Sequence, residues 1–76
     1  MKLLEKIITI VAEELAYDAA RINETTTLVD DLGMTSSDAV SLALALQAEF
    51  GVEIADEDLE ELQTVGDLLD LIQEQS

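Results

Sequence analysis

The most regular helical pattern in the chain reads TSSDAVSLALALQAEFG, residues 35–51. At about 100° per residue its apolar side chains recur on one face, which predicts an amphipathic helix over residues 36–50. Thr35 or Ser36 can cap the start of this helix, Asp38 lies at capping-box spacing from Thr35, and Gly51 is a suitable stop. The predicted core face consists of Ala39, Leu42, Ala43, Leu46 and Phe50.

Further helical patterns lie on both sides. Residues 2–16 place their apolar residues on one stripe, with Lys2, Glu5, Lys6, Thr9 and Glu13 opposite. Residues 65–74 form a last helix, for which Thr64 is the cap and Asp67 completes a second capping-box spacing. The apolar stripes are Leu3, Leu4, Ile7, Ile8, Val11 and Leu15 in the first helix, and Val65, Leu68, Leu69 and Ile72 in the last.

A shorter helical turn is expected over residues 56–61, capped by Asp56 and anchored by Leu59 and Leu62. No segment alternates in the manner of a strand. The patterns together predict an all-α fold, a small four-helix bundle with three main helices and one short helix.

The segment between the first two main helices, residues 17–35, shows no sustained period and is long for a loop in a compact domain. Its apolar residues predict a loop pinned across the bundle rather than a free chain. Gly33 gives the backbone freedom just before the next helix. The apolar residues are Ile22, Leu28, Val29 and Leu32.

Size and charge limit the possible functions. The 76 residues predict a single domain, residues 1–76, with 18 acids, three bases and a formal charge of −15. All three bases lie in the first 21 residues, and residues 22–76 carry 14 acids. Such a surface repels nucleic acid and anionic membranes and attracts basic protein patches. We expect no membrane insertion, a monomer and, with no export signal evident, a cytoplasmic location.

The chain contains no cysteine and no histidine. A thiol nucleophile, a thiolate metal site and the commonest general base are therefore excluded. Asp56, Asp58 and Glu60 begin like a calcium loop, but Glu61 stands where glycine is needed and Asp67 where glutamate is needed. We expect neither an enzyme nor a dedicated metal site.

Ser36 begins the predicted helix over residues 36–50. Backbone N–H groups and the helix dipole at such a position favour a phosphate group. A serine at a helix start is also a common cap with no further role. On the physical pattern alone the plain cap is the favoured interpretation, because serine caps are common.

A longer register surrounds Ser36: Leu28-Val29-Asp30-Asp31-Leu32-Gly33 followed by Ser36, then Val40-Ser41-Leu42, Glu49-Phe50-Gly51-Val52-Glu53-Ile54, Asp56-Glu57-Asp58 and Thr64-Val65-Gly66-Asp67. This register resembles that of acyl carrier proteins. The resemblance implies a four-helix carrier whose Ser36 hydroxyl receives 4′-phosphopantetheine from coenzyme A through a phosphopantetheinyl transferase. The thiol of that arm would hold acyl groups as thioesters, for fatty acid or specialised acyl biosynthesis.

The sequence beside this serine differs from the usual motif of the family. Thr35-Ser36-Ser37 stands in place of Asp-Ser-Leu, and Ala55 stands where proline is frequent. Ser37 is therefore a competing attachment residue.

The outer face of the predicted helix over residues 36–50 also departs from the family, because it is uncharged. This face consists of Ser37, Val40, Ser41, Leu44 and Ala48, with Gln47 at its edge. We expect acyl-transfer and synthase enzymes with basic docking patches to contact Thr35, Ser37, Asp38, Val40, Ser41, Leu44, Asp56, Glu57 and Asp58. Leu44 as a half-buried bundle residue is an alternative to its role in docking. The alternative function for the whole chain is an unmodified acidic helical module that binds basic proteins.

Overall fold

A computed structural model describes residues 2–75 of the chain. Over that range the fold consists of four α-helices and one short 3-10 helix, so the predicted all-α fold is confirmed. The α-helices are α1, Leu3–Leu15; α2, Ser36–Phe50; α3, Asp56–Glu61; and α4, Val65–Gln75, with the 3-10 helix at Ala19–Arg21. No helix in the described range is both long enough and apolar enough to cross a membrane.

Helix α2 begins and ends where its sequence predicts. The Asp38 N–H donates to Thr35 Oγ1 at 3.2 Å, and the Thr35 N–H donates to Asp38 Oδ2 at 3.1 Å. This reciprocal pair identifies Thr35, rather than Ser36, as the cap. At the other end Gly51 adopts φ 66°, and its N–H donates to the Gln47 carbonyl at 2.9 Å.

The short helix α3 starts differently from the prediction. Asp56 was expected to be the cap, but this was wrong: Ala55 is the capping residue and Asp56 is already helical. Alanine has no side-chain acceptor, so only half of a capping pair forms, in which the Ala55 N–H donates to Asp58 Oδ2 at 3.2 Å. Helix α4 has the complete pair between Thr64 and Asp67, as predicted, with both distances 3.1 Å.

The four helices share one hydrophobic core. Fully buried members come from every helix: Ile7 and Val11, Leu42 and Leu46, Leu59, and Val65, Leu68 and Ile72. Three residues predicted to be core anchors, Phe50, Leu62 and Leu69, are only partly buried and pack against its edge. Helix α3 packs mainly on α2, and its Leu59 is fully buried.

The loop before α2 is pinned across the bundle, as predicted. Ile22, Leu28 and Leu32 are buried, and the Leu28 N–H donates to the Gln63 carbonyl at 2.9 Å. Val29 was also expected to pin the loop, but it is 50% exposed because it lies in the turn between the buried Leu28 and Leu32. The loop therefore holds the residues that precede α2 in a fixed position.

Candidate attachment site and docking surface

Ser36 is the first residue of α2, and its side chain is exposed. The capping pair is made by Thr35 and Asp38, so the Ser36 hydroxyl is not used to start its own helix. Instead Ser36 Oγ donates a hydrogen bond to Glu60 Oε1 at 2.8 Å. The start of α2 and the end of α3 are thus joined at this serine.

The turn that leads to Ser36 is held by local hydrogen bonds. Gly33 adopts φ 67°, its N–H donates to the Val29 carbonyl at 2.9 Å, and the Met34 N–H donates to the Leu28 carbonyl at 3.0 Å. A left-handed backbone of this kind favours glycine, which explains the glycine three residues before the serine. Met34, which is buried, anchors the chain just before α2 begins.

Two aspartates near the serine are tied to the backbone. Asp38 accepts from the Thr35 N–H, and Asp31 Oδ2 accepts from the Thr27 N–H at 2.9 Å. The Thr27 N–H, with a further contribution from the Thr27 hydroxyl, holds the pKa of Asp31 below its ordinary value. Glu60 differs from these two because its carboxylate contacts the serine itself.

An open pocket of about 380 Å³ lies beside Glu60. Its lining combines polar groups with the exposed side chain of Val29 and the half-buried Leu62. The complete lining is Thr27, Val29, Asp30, Glu60, Glu61, Leu62 and Gln63. The turn before α2 and the segment after α3 therefore form a surface recess next to the serine.

The predicted docking residues fall into two groups. On α2, Val40 is 45% exposed and Leu44 is 62% exposed, so the alternative that Leu44 is half-buried is wrong. Thr35, Ser37 and Ser41 are also exposed, whereas Asp38 is half-buried in the cap.

On α3, Glu57 and Asp58 are exposed, Asp56 is half-buried, and Asp58 also accepts from the Ala55 N–H. Gln47, at the edge of the outer face, donates from Nε2 to the Ile54 carbonyl at 2.6 Å and so joins α2 to the loop that follows it.

Glu60 was missing from the predicted site. It stood out in the sequence only as one of five acids in residues 56–61, and its partner is 24 residues away along the chain. No local pattern indicates that contact. Over residues 2–75 no group of three or more acidic, histidine or cysteine side chains is placed to hold a metal ion.

Comparisons with known proteins agree with this geometry. Residues 5–72 match the family model described as a phosphopantetheine attachment site. The chain is 42% identical over 73 residues to a protein named acyl carrier protein from Solidesulfovibrio magneticus, covering 96% of this chain and 94% of that protein. It also superimposes on a solved structure of the acyl carrier protein from Enterococcus faecalis with a TM-score of 0.77, 34% identity and coverage of 96% of this chain and 92% of that one.

These matches define a phosphopantetheine-binding carrier domain. The chain belongs to the acyl carrier protein family. It is therefore a carrier of acyl groups on a 4′-phosphopantetheine arm and not an enzyme, and it works with synthase and acyl-transfer enzymes. The alternative of an unmodified interaction module is not favoured.

Proposed function

We propose that residues 1–76 act as one carrier domain whose arm is attached to Ser36 by a phosphopantetheinyl transferase. The observation that carries this proposal is the exposed Ser36 hydroxyl at the first position of α2, three residues after Gly33, in the family register. The chain has no cysteine, so the thiol for thioester formation comes from the arm.

The helix start at Ser36 suits a phosphodiester. The first turn of an α-helix presents N–H groups and the positive end of the helix dipole, both of which favour an anion. Asp31 and Asp38 already accept hydrogen bonds from the backbone, which offsets part of their repulsion. An acyl chain on the arm would find apolar surroundings in the core beneath α3, where Leu59 is fully buried.

The experiment combines transferase treatment with two neighbouring serine variants. The chain is incubated with coenzyme A, magnesium and a transferase of broad specificity, and its intact mass is measured. We expect a gain of one phosphopantetheine in the unaltered chain and in Ser37→Ala, and no gain in Ser36→Ala. Ser37→Ala is the matched control because Ser37 is also exposed on the first turn. A gain in Ser36→Ala would refute the assignment.

We also propose that partner enzymes bind the exposed Val40 and Leu44 together with the acidic residues of α3. Val40 and Leu44 are apolar and exposed, so their removal from water on binding would stabilise the complex. The acids of α3 would attract basic patches on the partner and speed association. Leu44→Ser is expected to slow acyl loading at all salt concentrations.

Charge reversal at Glu57 is expected to slow acyl loading only at low salt. Below about 0.05 M salt, acyl loading of Glu57→Lys should be slower than that of the unaltered chain. The two loading rates should converge as added salt screens the charges. The control is Glu74→Lys, which changes an equally exposed acid on α4. Equal effects of the two reversals would assign the result to total charge and contradict a docking role for α3.

Three further sequence predictions belong to this proposal. The chain is expected to be a monomer, which sedimentation measures, and cytoplasmic, which cell fractionation measures. The pathway is fatty acid or specialised acyl biosynthesis, and mass analysis of the thioesters on the natively isolated carrier distinguishes the two.

A further inference from the structure

The hydrogen bond from Ser36 to Glu60 depends on the chemical state of the serine. Ser36 Oγ is the donor at 2.8 Å, and the Glu60 carboxylate can only accept. The contact joins α2 to α3, which has six residues and is anchored in the core by Leu59. A six-residue helix has little stability of its own, so its position depends on such tertiary contacts.

Attachment of the arm removes this contact. The Oγ–P bond forms, a P–O bond of the coenzyme A pyrophosphate breaks, adenosine bisphosphate leaves, and the hydroxyl proton is lost. The resulting phosphodiester has no proton to donate and carries a negative charge. The donor facing Glu60 is thereby replaced by an anion, which turns an attraction into a repulsion.

We propose that Glu60 couples the modification state of Ser36 to the position of α3. In the unmodified chain the hydrogen bond holds α3 against the start of α2. In the modified chain the phosphodiester repels Glu60 and α3 loosens. Because Leu59 lies one residue before Glu60 and is fully buried, loosening α3 also weakens the cover of the core where an acyl chain would enter. This inference rests on the proposed attachment at Ser36.

Amide exchange measured by NMR tests the coupling. The informative amides are those of Leu59 and Leu62, which donate to the carbonyls of Ala55 and Leu59 at 3.4 and 3.2 Å. Loss of one exposed hydrogen bond and gain of one like-charge contact each change a local equilibrium by a few fold, so attachment should speed their exchange about tenfold. Exchange at the buried Val11 of α1 serves as the internal reference.

Three variants separate the two parts of the effect. Glu60→Ala should exchange rapidly at α3 before modification and change less than about twofold after it. Glu60→Gln keeps an acceptor for the hydroxyl and adds an amide donor for the phosphodiester, so exchange should stay slow in both states. Glu61→Ala, an exposed neighbour that shares the same helix, is the matched control and should respond like the unaltered chain.

The intact mass of the chain distinguishes a failure of the coupling from a failure of the attachment. A chain that gains the arm and shows unchanged exchange at α3 overturns the coupling while the proposed function stands. An equally large response in Glu60→Ala also overturns it. If the mass does not change at all, the proposed attachment fails and the coupling fails with it. Ser36→Ala, which removes the donor without adding an anion, should by itself speed α3 exchange by a few fold.

Discussion

Replacement of Ala16 by glycine is expected to stabilise the fold. Ala16 follows the last residue of α1 and adopts φ 53° and ψ 48°, the left-handed region. Among residues 2–75 it is the only residue other than glycine with positive φ. Its side chain is exposed, so the substitution removes no core packing.

The size of the effect follows from two opposing contributions. The left-handed conformation costs a residue with a Cβ atom about 1–2 kcal/mol, and glycine avoids that cost. Glycine also gives the unfolded chain more freedom, which lowers stability by about 0.4–1 kcal/mol. At the midpoints of these two ranges, about 1.5 and 0.7 kcal/mol, the net gain is about 0.8 kcal/mol, or about 3–6 °C in melting temperature for a domain of this size.

Thermal unfolding followed by circular dichroism measures this gain, with Ala48→Gly as the matched control. Ala48 is also exposed but lies inside α2 in a right-handed helical conformation. There the same substitution should lower stability by about 0.5–1 kcal/mol. Opposite signs for the two substitutions are required. A melting temperature of Ala16→Gly at or below that of the unaltered chain would refute the reasoning.

Three other outcomes follow from the structure. Asp31→Asn should lower the melting temperature most at pH above about 5. Hydrogen bonds from Thr27 hold the pKa of Asp31 below its ordinary value, so ionised Asp31 contributes stability at pH values above that ordinary pKa. This contribution is lost as the pH falls, and a difference in melting temperature that does not depend on pH would contradict this. Leu59→Ala should cost about 2–5 kcal/mol in urea unfolding because Leu59 is fully buried, whereas Leu44→Ala, largely exposed, should cost less than about 0.5 kcal/mol; equal costs would refute the burial argument. Magnesium and calcium should raise the melting temperature to a similar extent, because either salt screens the repulsion among the acids of a chain with a charge of −15; no change, or a large preference for calcium, would contradict this.

Local patterns were sufficient for most of the secondary structure. The positions of α1, α2 and α4 follow from apolar periodicity, and the capping pairs at Thr35 and Thr64 involve residues only three apart. Such features depend on neighbours along the chain and can therefore be read directly from it. The resemblance to acyl carrier proteins, confirmed by the comparisons, likewise depended on a register visible in the sequence.

Some features of the fold were not predicted from the sequence. Val29 is apolar yet exposed, because the turn that buries Leu28 and Leu32 directs it outward. Asp56 has a good residue type for a cap, but the chain enters the helix one residue earlier, at Ala55. The left-handed backbone at Ala16 could not be predicted from the residue type, because glycine is the residue usually found in that conformation.

The contact between Ser36 and Glu60 could not be inferred from the sequence either. The two residues are brought together only when α3 packs on α2. The register of the sequence indicates Ser36, whereas Glu60 is one of many acids in the chain. In the structure, Glu60 is the residue that accepts the hydrogen bond from the Ser36 hydroxyl.

Localisation of the arm within the chain is the sharpest test of attachment at Ser36. All lysines and arginines lie in the first 21 residues, so trypsin leaves residues 22–76 in one piece, whereas cleavage before aspartate releases residues 31–37 with Thr35, Ser36 and Ser37 together. Tandem mass spectrometry of that peptide, from carrier isolated from its native host, separates the three hydroxyls. We predict 4′-phosphopantetheine on Ser36. Phosphopantetheine on Ser37 or Thr35, or a natively isolated chain with no arm, would contradict it.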